Sequence, residues 1–193
     1  KTMNIGWNSC FSDIQWLTSN RDRFIPVKSY VHIARGERRG WNPIFYPSSE
    51  GLNLIESEFL KPVIKNLRGI KRLLVSPSDR AFCCSQSMQN LSNHDRTGAI
   101  QWIKRFENSK NGSGKPLPEV LKRANLYWYQ MDDATLADFV ISMNPDTRLF
   151  VAKTQEPTFV DQRLIRFTVS QSQINIELLH ALLNSIYSIC LIE

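Results

Sequence analysis

Apolar positions in this chain recur with short periods that change several times along its length. Val27, Val31 and Ile33 lie on one side of an imperfect alternation that predicts a strand over 27–33, with Pro26 at its edge or beginning. Ahead of it, Phe11, Ile14 and Leu17 fall at helical spacing, around a short helix predicted over Ser12–Ser19. Ile44–Tyr46 suits a second short strand, ended by Pro47 and the turn Ser48–Gly51. Leu54–Leu60 suits a short helix carrying Glu56 and Glu58 in its first turns, limited by Pro62. Leu73–Val75 and Ala81–Cys84 are apolar runs of the kind that form buried strands, separated by a turn at 76–79.

From Ser85 to Ala124 the pattern turns helical. Asp95 or Thr97 would cap a helix in which Ile100, Ile103 and Phe106 share a face, with Trp102 beside them. An Asn-, Ser- and Gly-rich loop, Asn108–Lys115, precedes a second short helix over Pro116–Ala124. Four more strands are expected at Leu126–Tyr129, Phe139–Met143, Arg148–Ala152 and Arg163–Val169. Ile174–Ile192 closes the pattern as an amphipathic helix, with Leu178, Leu179, Leu182, Leu183 and Ile186 on a broad apolar face. This order predicts one α+β domain, a mixed or antiparallel sheet with flanking helices and a C-terminal amphipathic helix. Residues 1–24 read as a lead-in segment and 25–193 as the domain.

Composition narrows the class. With 42% hydrophobic and 22% charged residues, the 193-residue chain is an ordinary globular protein with enough sequence for a sizeable core. A net charge of +6 favours a polyanionic partner, nucleic acid or an anionic surface. Cys10, Cys83, Cys84 and Cys190 form no C-x-x-C spacing, and His32, His94 and His180 are scattered singly, so no zinc site is legible. Small buried thiols in a reducing cytoplasm fit better. No signal peptide is visible, and the apolar run Leu178–Ile192 is interrupted by His180, Asn184, Ser185 and Ser188, which argues against a membrane span. The start at Lys1 and the stop inside an apolar helix lead us to expect a piece of a longer protein.

The candidate chemistry centres on Ala34–Pro47. Arg35, Arg38 and Arg39 arrive together, bracketed by Gly36 and Gly40, and Trp41, Phe45 and Tyr46 follow at once. The glycines permit positive φ or a close backbone approach. Arginine forks bind phosphate, or the O6/N7 edge of guanine, at two points. Lys61, Lys65, Arg68, Lys71 and Arg72 form a second basic cluster. Basic groups satisfy phosphates and neighbouring aromatics stack on or wedge between bases, although each aromatic taken singly also suits core packing.

Enzyme signatures are weak. Asn144-Pro145-Asp146 lacks the second proline and the aromatic of a methylase catalytic segment, and no glycine loop for S-adenosylmethionine is present. Ser109 stands where a phosphate loop before Lys115 needs its first glycine. Asp146 with Lys153 resembles a metal-dependent nuclease motif, but Val151 occupies the second acidic position.

Three segments in order carry a resemblance: 35–46, 55–65 (Ile-Glu-Ser-Glu-Phe-Leu-Lys-Pro-Val-Ile-Lys) and 178–185 (Leu-Leu-His-Ala-Leu-Leu-Asn-Ser). They are similar to the target-recognition (specificity) domain of DNA adenine-N6 methyltransferases from restriction–modification systems, including fused restriction–methylation enzymes. The resemblance covers most of the chain from about residue 25 onward. It implies a module that reads double-stranded DNA without carrying the catalytic core. The parent chain would use S-adenosylmethionine to methylate a flipped adenine, and its methyltransferase domain would be the second partner. The expected DNA-binding residues are Arg35, Arg38, Arg39, Trp41, Lys61, Lys65, Arg68, Lys71 and Arg72. No catalytic, cofactor or metal residue is expected in this segment. A metal-dependent nuclease using Asp146 and a protein-docking scaffold are the alternatives.

Overall fold

The computed structural model describes residues 19, 21–23, 25–37, 39–132, 136–145, 148–170, 174–186 and 188–189. A 3-10 turn at Val27–Ser29 leads into β1 (Val31–Arg35), so the strand starts later than the alternation predicts. Helices α1 (Asn42–Phe45) and α2 (Ser49–Leu54) and a 3-10 turn at Ser57–Phe59 come before β2 (Leu60–Ile64), β3 (Leu74–Val75) and β4 (Asp79–Phe82). Then come α3 (Met88–Asn93), α4 (Thr97–Glu107) and α5 (Leu117–Val120). Strands β5 (Leu136–Ser142), β6 (Val151–Val160) and β7 (Leu164–Val169) and helix α6 (Ile176–Leu183) complete the chain. The predicted helix Ser12–Ser19 falls almost wholly outside the described residues.

The sheet is mixed, in the order β1-β7-β5-β6-β2-β4, with β3 also paired to β6. β1, β7, β5 and β6 run antiparallel to their neighbours, whereas β2 and β3 both join β6 in parallel. Long β6 therefore accepts two short parallel partners in succession, β3 at Lys153–Thr154 and β2 at Phe159–Val160. Between them its pairing with β5 is irregular: Phe139 faces Lys153 but Ala137 faces Thr158, so Asp138 stands against residues 154–157. Pro157 sits inside this bulge, where no ladder N–H is required of it. Thr154 closes the gap by donating its hydroxyl to the carbonyls of Ala137 and Asp138.

Several local expectations are corrected. Ile44–Tyr46 is not a strand: it belongs to α1, where Pro43 presets φ for the first turn and Ile44 and Phe45 are buried. Ser48–Gly51 is not an isolated turn but the start of α2. The predicted helix Leu54–Leu60 ends at its first residue, and Pro62 lies inside β2. The Cys83 N–H bonds the Phe59 carbonyl, which places Pro62 in the non-hydrogen-bonded pair with Arg80. Its nitrogen then faces the β6 side, where pairing begins only at Val63. Finally, Leu126–Tyr129 forms turns rather than an aromatic strand.

Helix α4 organises the helical layer. Neither Asp95 nor Thr97 caps it; the Glu56 carboxylate accepts the N–H groups of Gly98 and Ala99, both at 2.8 Å. A carboxylate at a helix N-terminus satisfies orphan donors and complements the dipole. Trp102, buried within α4, donates its indole N–H to the Ile44 carbonyl at 2.9 Å. Around it Phe45, Phe59, Phe82, Leu91, Leu117 and Tyr129 form the main core. A second core, including Ile64, Leu67, Val75, Val140, Phe150 and Leu164, lies under the segment linking β2 to β3. The third joins Phe139, Ile141, Val151 and Phe167 to Leu179 and Leu183 of α6.

Asn184 at the end of α6 donates its amide to the Val151 carbonyl and accepts the Val151 N–H. It completes the start of β6 as a strand partner would, while the ring of His180 stacks on Phe139 at 5.6 Å. On the opposite side of α6, Leu178 and Leu182 are exposed, as is Ile186 just beyond the helix.

Candidate nucleic-acid interface

Directly after β1 the chain crosses the turn between β6 and β7. Gly36 gives its N–H to the Leu164 carbonyl and Glu37 gives its N–H to the Val160 carbonyl. A Cβ on Gly36 would lie 2.2 Å from the Asp161 carbonyl oxygen, so only glycine fits this crossing. Gly40 serves differently, at φ +101°, and turns the chain into α1.

Asp161 is the hub of this region. Only 2% exposed, it accepts the Tyr46 hydroxyl on Oδ2 at 2.5 Å and the Arg163 N–H on Oδ1 at 3.0 Å. Burial, and then the bond to Asp161, push the Tyr46 phenol well above its ordinary pKa. The Lys65 ammonium lies 4.9 Å from the centre of the Tyr46 ring and 3.3 Å from Asp79. Arg35 Nε donates to the Gln162 carbonyl at 2.6 Å. Here cations and carboxylates alternate: Arg35, Lys65 and Arg163 stand among Glu37, Asp79 and Asp161.

Arg39, expected at a DNA surface, is turned inward. It is 6% exposed, and its Nη2 donates to the carbonyls of Leu121, Tyr127 and Trp128 at 3.1–3.3 Å. The guanidinium also covers the Phe45 ring at 5.6 Å. Desolvation lowers its pKa, helped by Arg123 and opposed by Glu37. These bonds explain why 126–129 is no strand: two of its carbonyls point at Arg39. Trp41 packs half-buried against the main core, and Arg38 lies outside the described residues.

The second basic cluster divides. Lys61 is half-buried in β2, opposite Ala81. Arg68, Lys71 and Arg72 are exposed on the segment after β2, whose Leu67 and Ile70 turn into the second core. That segment is held by two local turns: Asn66 Oδ1 accepts the Arg68 N–H, and the Leu67 carbonyl accepts the Ile70 N–H across Gly69. Gly69 has φ +71°, the left-handed conformation such a turn asks of its third residue.

Facing this turn is Arg148, which the sequence reading did not single out as a binding residue. Its guanidinium lies 4.4 Å from the centre of the Phe150 ring, and Nη2 reaches the Lys71 carbonyl at 3.4 Å. Arg68, Lys71 and Arg148 thus rim an open cleft of about 350 Å³ floored by Leu67, Ile70 and Phe150. Among the described residues no carboxylate lines it. The Arg-x-Phe spacing, which sets a cation and a ring on one side of extended backbone, is the signal that could have found Arg148. Asp146 lies outside the described residues, and no His/Cys/Asp/Glu group among those described could hold a metal ion.

No family model and no curated protein sequence matches the chain. Among solved structures, the type IIG restriction endonuclease BpuSI aligns over 92% of this chain with a TM-score of 0.53 and 14% identity. The chain spans 22% of the length of that protein. At this identity the likeness is one of fold: the α+β architecture described above is shared with part of a restriction endonuclease. Among the described residues no helix is long and apolar enough to cross a membrane.

Proposed function

We propose that this chain is a double-stranded DNA recognition domain of a restriction–modification protein, whose parent methylates adenine N6 with S-adenosylmethionine in a separate catalytic domain. The carrying observation is the group of cations without carboxylate partners among the described residues. Arg68, Lys71 and Arg148 rim one cleft, and Arg72 lies beside it on the same segment. Cations already matched by carboxylates, such as Lys65, serve the fold first. Unmatched ones attract phosphate and release counterions on binding. The fold shared with part of a restriction endonuclease gives this basic surface a context. In this reading Arg68, Lys71 and Arg72 position the DNA backbone, with Arg35 as an outlying contact. The exposed Leu178 and Leu182 on α6, with Ile186 just after it, form the surface we assign to the catalytic domain of the parent chain.

The test is fluorescence anisotropy with a randomised duplex pool, titrated with salt, followed by sequencing of the bound fraction. Binding that weakens steeply with salt and an enriched sequence motif are the expected outcome. Absence of binding at low salt would remove DNA as the partner.

A further inference from the structure

We propose that the cleft rimmed by Arg68, Lys71 and Arg148 seats one unpaired nucleotide, its phosphate on Arg68 and Lys71 and its base stacked on the Arg148 guanidinium. The inference extends the DNA reading, and rests on it only in choosing a nucleotide over other phosphate esters.

Size is the first argument. A cleft of about 350 Å³ lies at the small end of ligand pockets, room for a single nucleotide. Its two-sided chemistry is the second. Backbone phosphate contacts need only cations on a convex or flat surface, whereas here the cations surround an apolar floor of Leu67, Ile70 and Phe150. The third is the way Arg148 is held. Its guanidinium carbon lies 4.4 Å from the centre of the Phe150 ring, and Nη2 reaches the Lys71 carbonyl at 3.4 Å. These two contacts hold the guanidinium at the rim before any ligand arrives, and a base can stack on it there, since guanidinium planes stack on nucleobases as well as on aromatic side chains.

The turn at the mouth is built for the approach. At Gly69 a Cβ would meet nothing within 4 Å, so the mouth is open there, and the positive φ bends the backbone between Arg68 and Lys71. Two cations on either side of one glycine can converge on a single phosphate. Ser142 closes the far rim with its hydroxyl already given to the Asn144 carbonyl. The cleft therefore offers charge and a stacking plane, and Ser142 adds no free donor to read a base edge. Preference for unpaired over paired nucleotides is expected.

The experiment is a methyl and amide NMR titration of the chain with the four deoxynucleoside 5′-monophosphates, the matching nucleosides and inorganic phosphate. Shifts at Ile70, Leu67 and Gly69 that saturate are expected, with monophosphates binding about tenfold tighter than either half alone. Arg148→Gln should weaken nucleotide binding about tenfold while changing phosphate binding little. Arg148→Lys, which keeps the charge without the plane, should lose most of the same factor. Equal binding of phosphate and nucleotide, unchanged affinity in both Arg148 variants, or shifts confined elsewhere would each overturn the proposal. Duplex binding measured on the same samples separates the two readings. Duplex bound without nucleotide sinks the cleft inference alone; nucleotide bound without duplex sinks the duplex reading alone; failure of both sinks both.

Discussion

The Tyr46 hydroxyl donates to Asp161 Oδ2 at 2.5 Å, although the residues are 115 positions apart. Tyr46 ends the first short helix of the helical layer, and Asp161 begins the turn that joins the last two strands of the sheet. The Asp161 N–H is given to the Ile64 carbonyl at the end of β2, and its backbone carbonyl accepts the Leu164 N–H. One buried aspartate thus ties the helical layer, through its carboxylate, to the central strands, through its backbone. A buried carboxylate needs such donors, because a charge removed from water is otherwise costly.

Tyr46→Phe keeps the ring and its contact with Lys65 but leaves Asp161 short of a donor. Its expected effect is a loss of about 1–3 kcal/mol, the usual range for an orphaned buried polar group. Urea melts of the two proteins measure it. Equal midpoints would show that the bond adds nothing to the fold.

Alkaline stability follows from the same residue. Burial first, and for Tyr46 also the bond to Asp161, raise the pKa of Tyr46 and Tyr129 above the ordinary phenol value of about 10. A raised folded-state pKa gives stability that is complete below the unfolded value and is lost as pH climbs above it toward the folded value. Stability should therefore fall above about pH 10, and Tyr46→Phe should lessen that fall. Parallel slopes for the wild type and the variant between about pH 9 and 11 would refute this.

Two glycines separate space from conformation. Gly36→Ala would press a methyl group to 2.2 Å from the Asp161 carbonyl oxygen, and a loss of about 2–4 kcal/mol is expected, at the upper end of overpacking effects. Gly69→Ala meets nothing within 4 Å and suffers only from φ +71°, a loss of about 1–2 kcal/mol. Thermal or urea denaturation ranks the pair; the reverse order would show that the crossing at Gly36 is looser than described.

Arginine position, not arginine count, should govern the salt dependence of DNA binding. Each phosphate contact removed from Arg68, Lys71 or Arg72 by substitution with Gln lowers the salt slope by about 0.9. Arg39→Gln should instead reduce stability, because its three carbonyl partners lose their donor, and leave the slope of the folded protein as it was. A fall in slope for Arg39→Gln matching that for Lys71→Gln would return Arg39 to the DNA surface.

Much of the fold was legible. Helical spacing of Ile100, Ile103 and Phe106 predicted α4, and the short apolar-rich runs at 139–143 and 163–169 predicted β5 and β7. These elements are long enough, and amphipathic enough, for local pattern to dominate. The failures cluster where a distant group decided the backbone. Glu56 was assigned to a helix of its own yet caps α4, and 126–129 resembled a strand until its carbonyls met Arg39. For the site, sequence placed Arg68, Lys71 and Arg72 in one exposed segment. It grouped Arg39 with them because proximity in sequence carries no sign of inward or outward direction, and it passed over Arg148, which is 77 positions from Lys71.

By itself the sequence determined the α+β class, the basic balance, the glycines of the 35–40 loop and the broad apolar face of the last helix. All of these follow from composition, period and the steric freedom of single residues. Tertiary structure decided which cations are free to meet a polyanion. Arg39 is enclosed, Lys65 is matched by Asp79, and Arg68, Lys71 and Arg148 converge on one cleft. That outcome depends on long-range pairing of β6 with β2 and β3, which brings segments far apart in the chain into contact. Electrostatic and hydrogen-bond energies fall off over a few ångströms, and only the folded chain sets those distances.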